Sequence, residues 1–310
     1  MRRPGFVARE LESTLQLAAR NVRNQADAVA PPWDDPRVGA LIDLALAEDL
    51  GVGDRTSEAL VPAGTRARGR VCAKQGLVVC GLPLLDRVFR RLGDVSVSFE
   101  AAEGALAAPG QVLATLEGQA HALLAGERVA LNLLQHLCGI ATLTRAYVKR
   151  VHGTSLVVRD TRKTLPGMRA LAKYAVRTGG GTNHRVGLDD AILIKDNHLA
   201  LVGGDLAAAV RTARAAAPAL PVEVECHTLD EVERAVAAGP DLILLDNMRA
   251  ETIASAVRLV AGRVPLEVSG GVTREHLPDL AALGVQLVAV GALTHSAPAA
   301  DLNLKLEPLP

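Results

Sequence analysis

Aromatic residues are almost missing from this chain. One tryptophan, two tyrosines and three phenylalanines make up 2% of its 310 residues, too few for a platform on which nucleic-acid bases stack. An excess of charge is missing too. Thirty-four lysines and arginines balance 34 aspartates and glutamates, which leaves no electrostatic footprint for DNA, so no nucleic-acid partner is expected. The four cysteines, Cys72, Cys80, Cys138 and Cys226, are scattered without a CxxC pair. That argues against a disulfide frame or a zinc site and reads as reduced thiols in a cytoplasmic protein. No uncharged run approaches the roughly 20 residues of a membrane helix, so no membrane partner is expected. The basic start is broken by Glu10 and Glu12 before any long apolar core, unlike a secretory signal. What is plentiful is apolar side chain: 49% of residues are hydrophobic, enough for one large core, or one large and one small.

Along the chain, Leu11, Leu15, Ala18 and Val22 recur at helical spacing before Pro31-Pro32, which predicts a helical extension over 1–33. A second helix is expected from Asp35 to Leu50, stopped by Gly51. Between Arg66 and Gly118 short β-like runs (68–73, 77–80, 95–99 and 111–117) enclose a helix near 84–92. The stretch "ALAAPGQVLATLEG" resembles a half-turn of a biotinyl or lipoyl domain, but no lysine stands at a hairpin tip, so it reads as structural. Residues 126–149 read as helix, with Leu131, Leu134, Cys138 and Ala141 forming an apolar stripe. From Ser155 the pattern turns regular. Apolar runs at 156–158, 191–194, 222–224, 242–245, 266–268 and 287–290 alternate with alanine-rich helical stretches such as 205–217, 228–238 and 250–261. Strands alternating with helices predict parallel pairing. Six units, with room for an unrecognised seventh, suggest a barrel or near-barrel. No GxGxxG follows the first strand, which weakens a dinucleotide-binding sheet.

Barrel chemistry gathers at the C-terminal ends of strands. In order, those ends carry Arg159-Asp160-Thr161-Arg162-Lys163, Lys195-Asp196, Glu225, Asp246, Ser269-Gly270-Gly271 and Val290-Gly291-Ala292. Cations come first, carboxylates second and glycine-rich turns last. The two late turns suit phosphate, which is held by bare backbone N–H groups where a side chain would intrude. Glu225 and Asp246 end successive strands and can face one cavity. There they could hold Mg²⁺, bind ribose hydroxyls, support a developing cation, or pair with Arg162 or Lys195. Arg162, Lys163, Arg185 and Lys195 would suit a small polyanion. His184, between Asn183 and Arg185 in a loop opened by Gly179-Gly180-Gly181, could donate a further hydrogen bond.

These residues stand in stretches that resemble one family closely, the quinolinate phosphoribosyltransferases. The stretches are "EDLGVGDRTS" (48–57), "ERVALNLLQHLCGIAT" (127–142), "DTRKTLPGMRALAKYAV" (160–176), "GGGTNHRVGLDDAILIKDNH" (179–198), "VEVECHTLDE" (222–231), "LILLDNM" (242–248), "LEVSGGVT" (266–273) and "VAVGALTHS" (288–296). They run in the family's order over nearly everything after residue 40. The departures are small. Cys138 stands where the family usually has serine, Gln286 where it usually has aspartate, and Ala289 where serine is common.

The resemblance implies an α/β chain of two domains: a smaller N-terminal α/β open-faced sandwich (34–135, rejoined by 299–310) and an incomplete TIM-like α/β barrel (136–298). It implies a homodimer, or a higher oligomer built of dimers, with Arg128 of one chain completing the partner's site. Phosphoribosyl pyrophosphate and quinolinate would be the substrates and Mg²⁺ the cofactor, carried mainly by the pyrophosphate, with its protein ligands left open. Quinolinate would meet Arg128, Thr161, Arg162, His184, Arg185 and Lys195. Phosphoribosyl pyrophosphate would meet Lys163, Glu225, Asp246, Ser269, Gly270, Gly271, Val290, Gly291 and Ala292. Lys163, Lys195, Glu225 and Asp246 would carry the catalysis. Three rivals remain at this point: a relative acting on another aromatic acid, a Schiff-base aldolase using Lys195, and a phosphosugar-binding protein without turnover.

Overall fold

The computed structural model describes residues 30–310; the helix expected over 1–33 lies almost wholly outside them. The described chain divides into two compact units. One comprises Ala30–Arg145, Lys163–Gly180 and Ala292–Pro310, the other Ala146–Arg162 and Gly181–Gly291.

The first unit is built on an antiparallel sheet. Its strands are β1 (Arg66–Ala73), β2 (Leu77–Val78), β3 (Val95–Phe99), β4 (Leu106–Ala107), β5 (Val112–Gln119) and, from the end of the chain, β12 (Leu302–Pro308). Four of them pair in the order β12-β1-β5-β3, and β2 pairs with β4 separately. Burial along β1 alternates residue by residue. That alternation is the period of a sheet with one face covered and the other wet. The wet face carries ion pairs between neighbouring strands, Arg68 with Glu117 at 2.6 Å and Arg70 with Glu307 at 2.9 Å. The helix expected from Asp35 spans Pro36–Leu50, with the Asp35 carboxylate accepting from the Arg37 N–H at 2.9 Å and Gly51 at its end with a positive φ of 52°. Such a cap satisfies a backbone donor that the first helical turn leaves open. Among the helices of this unit that escaped the sequence reading are Arg55–Leu60, Arg169–Thr178 and the short Ala292–His295. Cys138 explains its own departure. Its Sγ lies 3.4 Å from the Cys80 carbonyl and 3.3 Å from the Cys80 N–H, contacts a serine hydroxyl could also make.

The second unit is a parallel α/β unit. β6 (Val157–Arg159), β7 (Ile192–Ile194), β8 (Val222–Cys226), β9 (Leu242–Asp246), β10 (Leu266–Ser269) and β11 (Leu287–Ala289) form one sheet in the order β6-β11-β10-β9-β8-β7. The first strand thus pairs with the last, and the second with the third. That is the cyclic order of a barrel with a gap between its first and second strands. At the gap, Thr182 makes an isolated parallel bridge to Arg159, with its N–H on the Val158 carbonyl at 2.9 Å. This single bridge is the nearest the described chain comes to a seventh strand. Val158, Val222, Val224, Ile243, Leu245, Val268 and Val288 fill the core. Gln286 also has a structural use, since its side-chain oxygen accepts from the Leu266 N–H at 2.8 Å.

Candidate active site

The C-terminal ends of the parallel strands bring most of the expected residues of this unit together. Asp160, just past β6, is fully buried. Its carboxylate accepts from the Asn183 side-chain amide and from the His184 backbone N–H, both at 2.7 Å. These bonds tie the glycine-opened loop to β6. The next turn is folded by Asp190, which accepts from the N–H groups of Val186 (2.6 Å) and Gly187 (2.9 Å). Between the two anchors stands Arg185, its guanidinium donating to the Ala191 carbonyl at 2.9 Å. Burial, with the neighbouring Arg162 adding to it, holds Arg185 below the usual arginine range, although Glu223 and Asp190 oppose the shift. Two like charges have been brought together beside a strand end, which is what an anion site requires.

Lys195 ends β7 and forms an ion pair with Glu225 at the end of β8. A Schiff-base lysine is instead activated by an apolar pocket or by another cation, so this pairing weighs against an aldolase. The other Glu225 oxygen lies 3.6 Å from His227 Nε2, and His227 Nδ1 lies 3.9 Å from the Asp246 carboxylate. Glu225 and Asp246 therefore face one cavity with an imidazole between them. At the next strand end Asn247 takes a positive φ of 54° and donates its side-chain amide to Asp246 at 2.7 Å. Gly270 packs against it. A Cβ there would come within 2.2 Å of the Asn247 side-chain oxygen and 2.8 Å of its backbone nitrogen, and the φ of 97° already favours glycine. Gly271, also at positive φ, has open space where a side chain would be. The turn Ser269-Gly270-Gly271 is thus held by its neighbour and bare on its outer side. Val290 donates its N–H to the Arg159 carbonyl at 2.9 Å, which fixes the start of Val290-Gly291-Ala292.

Three expected residues belong to the other unit. Arg128 is exposed on the helix Ala120–Arg150 of the other unit. Lys163 is exposed and Ala292 half-buried; both open segments of the other unit, and the Lys163 carbonyl accepts from the Thr294 hydroxyl at 2.8 Å. Thr161 and Arg162, both half-buried, follow β6 directly.

The sequence reading missed two glutamates deeper in the barrel. Glu223 on β8 and Glu267 on β10 are buried, and both approach His184 Nε2, at 3.0 and 3.6 Å. Arg159 at the end of β6 pairs with Glu267. β6, β10 and β8 are alternate strands of the sheet, and alternate strands of a barrel contribute to one interior layer. The available signal was a glutamate interrupting an otherwise apolar strand, in "VEVEC" and "LEVS". His184 itself is buried. Its Nδ1 accepts from the Arg185 N–H at 2.8 Å, so Nε2 carries the proton that faces the glutamates.

Comparison with known proteins identifies this arrangement. Residues 54–138 match the N-terminal domain and residues 140–305 the C-terminal domain of quinolinate phosphoribosyl transferase. The chain is 48% identical to the nicotinate-nucleotide pyrophosphorylase [carboxylating] of Mycobacterium leprae over 270 residues, covering 84% of this chain and 94% of the relative. It is 38% identical to the human protein of that name, covering 87% and 91%. The crystal structure of NadC from Streptococcus pyogenes superposes with a TM-score of 0.84 at 39% identity, covering 91% of this chain and 100% of that one. A Francisella tularensis nicotinate-nucleotide pyrophosphorylase gives 0.83 at 35%, covering 91% and 99%. The chain belongs to the quinolinate phosphoribosyltransferase family, the carboxylating nicotinate-nucleotide pyrophosphorylases of NAD biosynthesis.

Proposed function

We propose that the cations at the ends of β6 and β7 and in the loop between them bind quinolinate, while Glu225 and Asp246 at the ends of β8 and β9 serve the ribose. The chain carries carboxylating nicotinate-nucleotide pyrophosphorylase activity, in which phosphoribosyl pyrophosphate and quinolinate give nicotinate mononucleotide, pyrophosphate and CO2. Arg162, His184, Arg185 and Lys195, with Thr161 and the partner's Arg128, take the two carboxylates of the acid. Lys163 is shared toward the pyrophosphate, and the turns Ser269-Gly270-Gly271 and Val290-Gly291-Ala292 hold phosphate. The observation that carries this reading is the gathering of Arg162, just past β6, with Arg185, like charges close enough to disfavour each other, Arg185 standing in a loop pinned on both sides by buried or bonded aspartates.

The chemistry needs no protein nucleophile, because the pyridine nitrogen attacks ribose C1 itself. The site lines up the two anions and meets the positive charge that grows on the sugar as pyrophosphate leaves. Glu225 and Asp246 supply that negative charge and accept the ribose hydroxyls. Alkylation leaves the ring nitrogen positive; that charge stabilises the electron pair left on C2 as CO2 departs, and a proton from water then fills C2. Mg²⁺, when bound, neutralises the leaving pyrophosphate. The carboxylates do not fit a protein-held Mg²⁺, since Lys195 occupies Glu225 and an imidazole, not oxygen, is the third donor beside Asp246. We therefore assign the ion to the pyrophosphate. The same reading makes the protein a cytoplasmic homodimer, or an oligomer of dimers, with domains at 34–135 (rejoined by 299–310) and 136–298.

One incubation tests substrate choice: phosphoribosyl pyrophosphate with quinolinate, nicotinate or other pyridine acids, read by mass spectrometry. A dicarboxylate satisfies charges that a monocarboxylate leaves unpaired, so quinolinate should be far the better substrate. Comparable kcat/KM on nicotinate would refute the cradle. The shared site is tested by mixing inactive Arg128→Ala with inactive Lys195→Ala. Hybrid dimers should regain activity, and a mixture that stays inactive after proven subunit exchange would remove Arg128 from the partner's site.

A further inference from the structure

Beneath the cradle lies a pair of carboxylates that the reaction just described leaves unused. Glu223 stands two residues before Glu225 on β8, so both face the barrel interior. Glu267 reaches the same place from β10. Their side chains are 8% and 0% exposed, and one oxygen of each, Oε1, is buried without a hydrogen-bond partner. One carboxylate oxygen from each of Glu223 and Glu267 and one ring nitrogen of His184 lie within 4.8 Å of one another. His184 brings a single proton to this cluster. Its Nδ1 is an acceptor for the Arg185 N–H, and its Nε2 lies 3.0 Å from Glu223. Two buried carboxylates gathered at one imidazole nitrogen, each with an oxygen lacking a hydrogen bond, favour a proton held by one of them.

The surroundings give that proton a use. Arg159 faces the pair from β6, His184 and Arg185 from the loop after Thr182, Lys195 from the end of β7 and Glu225 from β8 itself. On β9 the residues paired with Glu223 and Glu267 are Leu242 and Leu244, without charge. Three cations thus face three carboxylates, and Arg162 and Asp160 beyond them add one charge of each sign. With both carboxylates of the pair ionised, the floor of the site is balanced before any ligand enters. A dianion placed on Arg185 and Lys195 tips it negative, and a proton on the pair offsets part of that excess.

We propose that Glu223 and Glu267 form a proton-holding pair under the acid-binding cations, and that quinolinate binding draws a proton onto this pair. The inference rests on the reading that quinolinate sits on Arg185 and Lys195. Burial works in the same direction: it pushes the Glu223 carboxyl up to about 7, with Arg159 and Arg185 opposing, and raises Glu267 as well. Glu223 and Glu267 are positioning residues, acting on the ligand through His184, Arg185 and Arg159.

The test is calorimetric titration of the full-length enzyme with quinolinate in two buffers of different ionisation enthalpy, between about pH 6.5 and 8.5. Proton uptake of up to one per site is expected. Affinity should fall by up to about tenfold per pH unit where uptake is complete, because each binding event then needs one proton. Glu223→Gln, which keeps the shape and an acceptor for His184, should take up no proton and bind with an affinity nearly independent of pH. An infrared carboxylic-acid band appearing on binding in the wild type and absent from Glu223→Gln or Glu267→Gln would locate the proton without relying on heats. Wild-type binding with identical heats in both buffers across the range, or undiminished uptake in both variants, overturns the pair. The cradle reading fails separately: an Arg185→Ala enzyme that keeps its quinolinate affinity puts the acid elsewhere.

Discussion

Arg70 and Glu307 pair across the antiparallel sheet at 2.9 Å with side chains 42% and 44% exposed, whereas Arg159 and Glu267 pair in the parallel unit with side chains 11% and 0% exposed. The residue types are the same, and water separates the cases. The exposed pair is solvated in both folded and unfolded states, so its net contribution is small. The buried pair had to lose its hydration, and apolar residues of the same volume would hold the strands together at least as well. Its position accounts for the charge. Glu267 lies against His184, whose ring holds the Arg185 backbone. Charge on the wet sheet decorates a surface, and charge inside the barrel aims the groups above it.

That contrast can be broken most directly by removing one arginine from each pair. Arg159→Ala should cost about 3–5 kcal/mol, since Glu267 is left buried and unpaired. Denaturant midpoints measure it, and a loss no larger than that of Arg70→Ala would erase the distinction. A second substitution sharpens the difference between floor and rim of the site. Asp246→Asn should keep the fold and lower turnover by roughly a hundredfold or more, the scale of one transition-state contact. A smaller expected effect is the pH dependence of stability. The folded pKa of Glu223, about 7, is raised above its ordinary value, so the native state binds more protons than the unfolded chain between about pH 4.5 and 7. Stability from this group is complete below that window and is lost as pH rises through it. The melting temperature of Glu223→Gln should therefore change less than that of the wild type from pH 5 to about pH 8, and parallel curves would contradict the raised pKa. Smallest of all is Arg70→Ala, expected to change stability by under about 1 kcal/mol.

The strands of the barrel were legible because each is an apolar run flanked by helix-forming sequence. Its candidate functional end could be read because charged and glycine residues follow those runs directly. The seventh position was not, since Thr182 contributes one bridge and no run. The helix Arg169–Thr178 was hidden by its polar, cation-rich composition after Pro166-Gly167. Glu223 and Glu267 were hidden for a different reason. Hydropathy counts residues along one strand, and "VEV" or "LEV" passes for an apolar run, whereas the partner that makes Glu267 tolerable, Arg159, lies 108 residues away. His227 and Asn247, which line the Glu225–Asp246 cavity, carry no local signal beyond their place after a strand.

The division of the site into an acid-binding half and a ribose-binding half is tested most directly by quinolinate affinity, measured calorimetrically on Arg185→Ala and Asp246→Asn side by side. Losing a charge-assisted contact to the dianion should weaken binding to Arg185→Ala by at least about tenfold, while Asp246→Asn should bind quinolinate within about twofold of the wild type. Equal weakening in both, or weakening in Asp246→Asn alone, would contradict it.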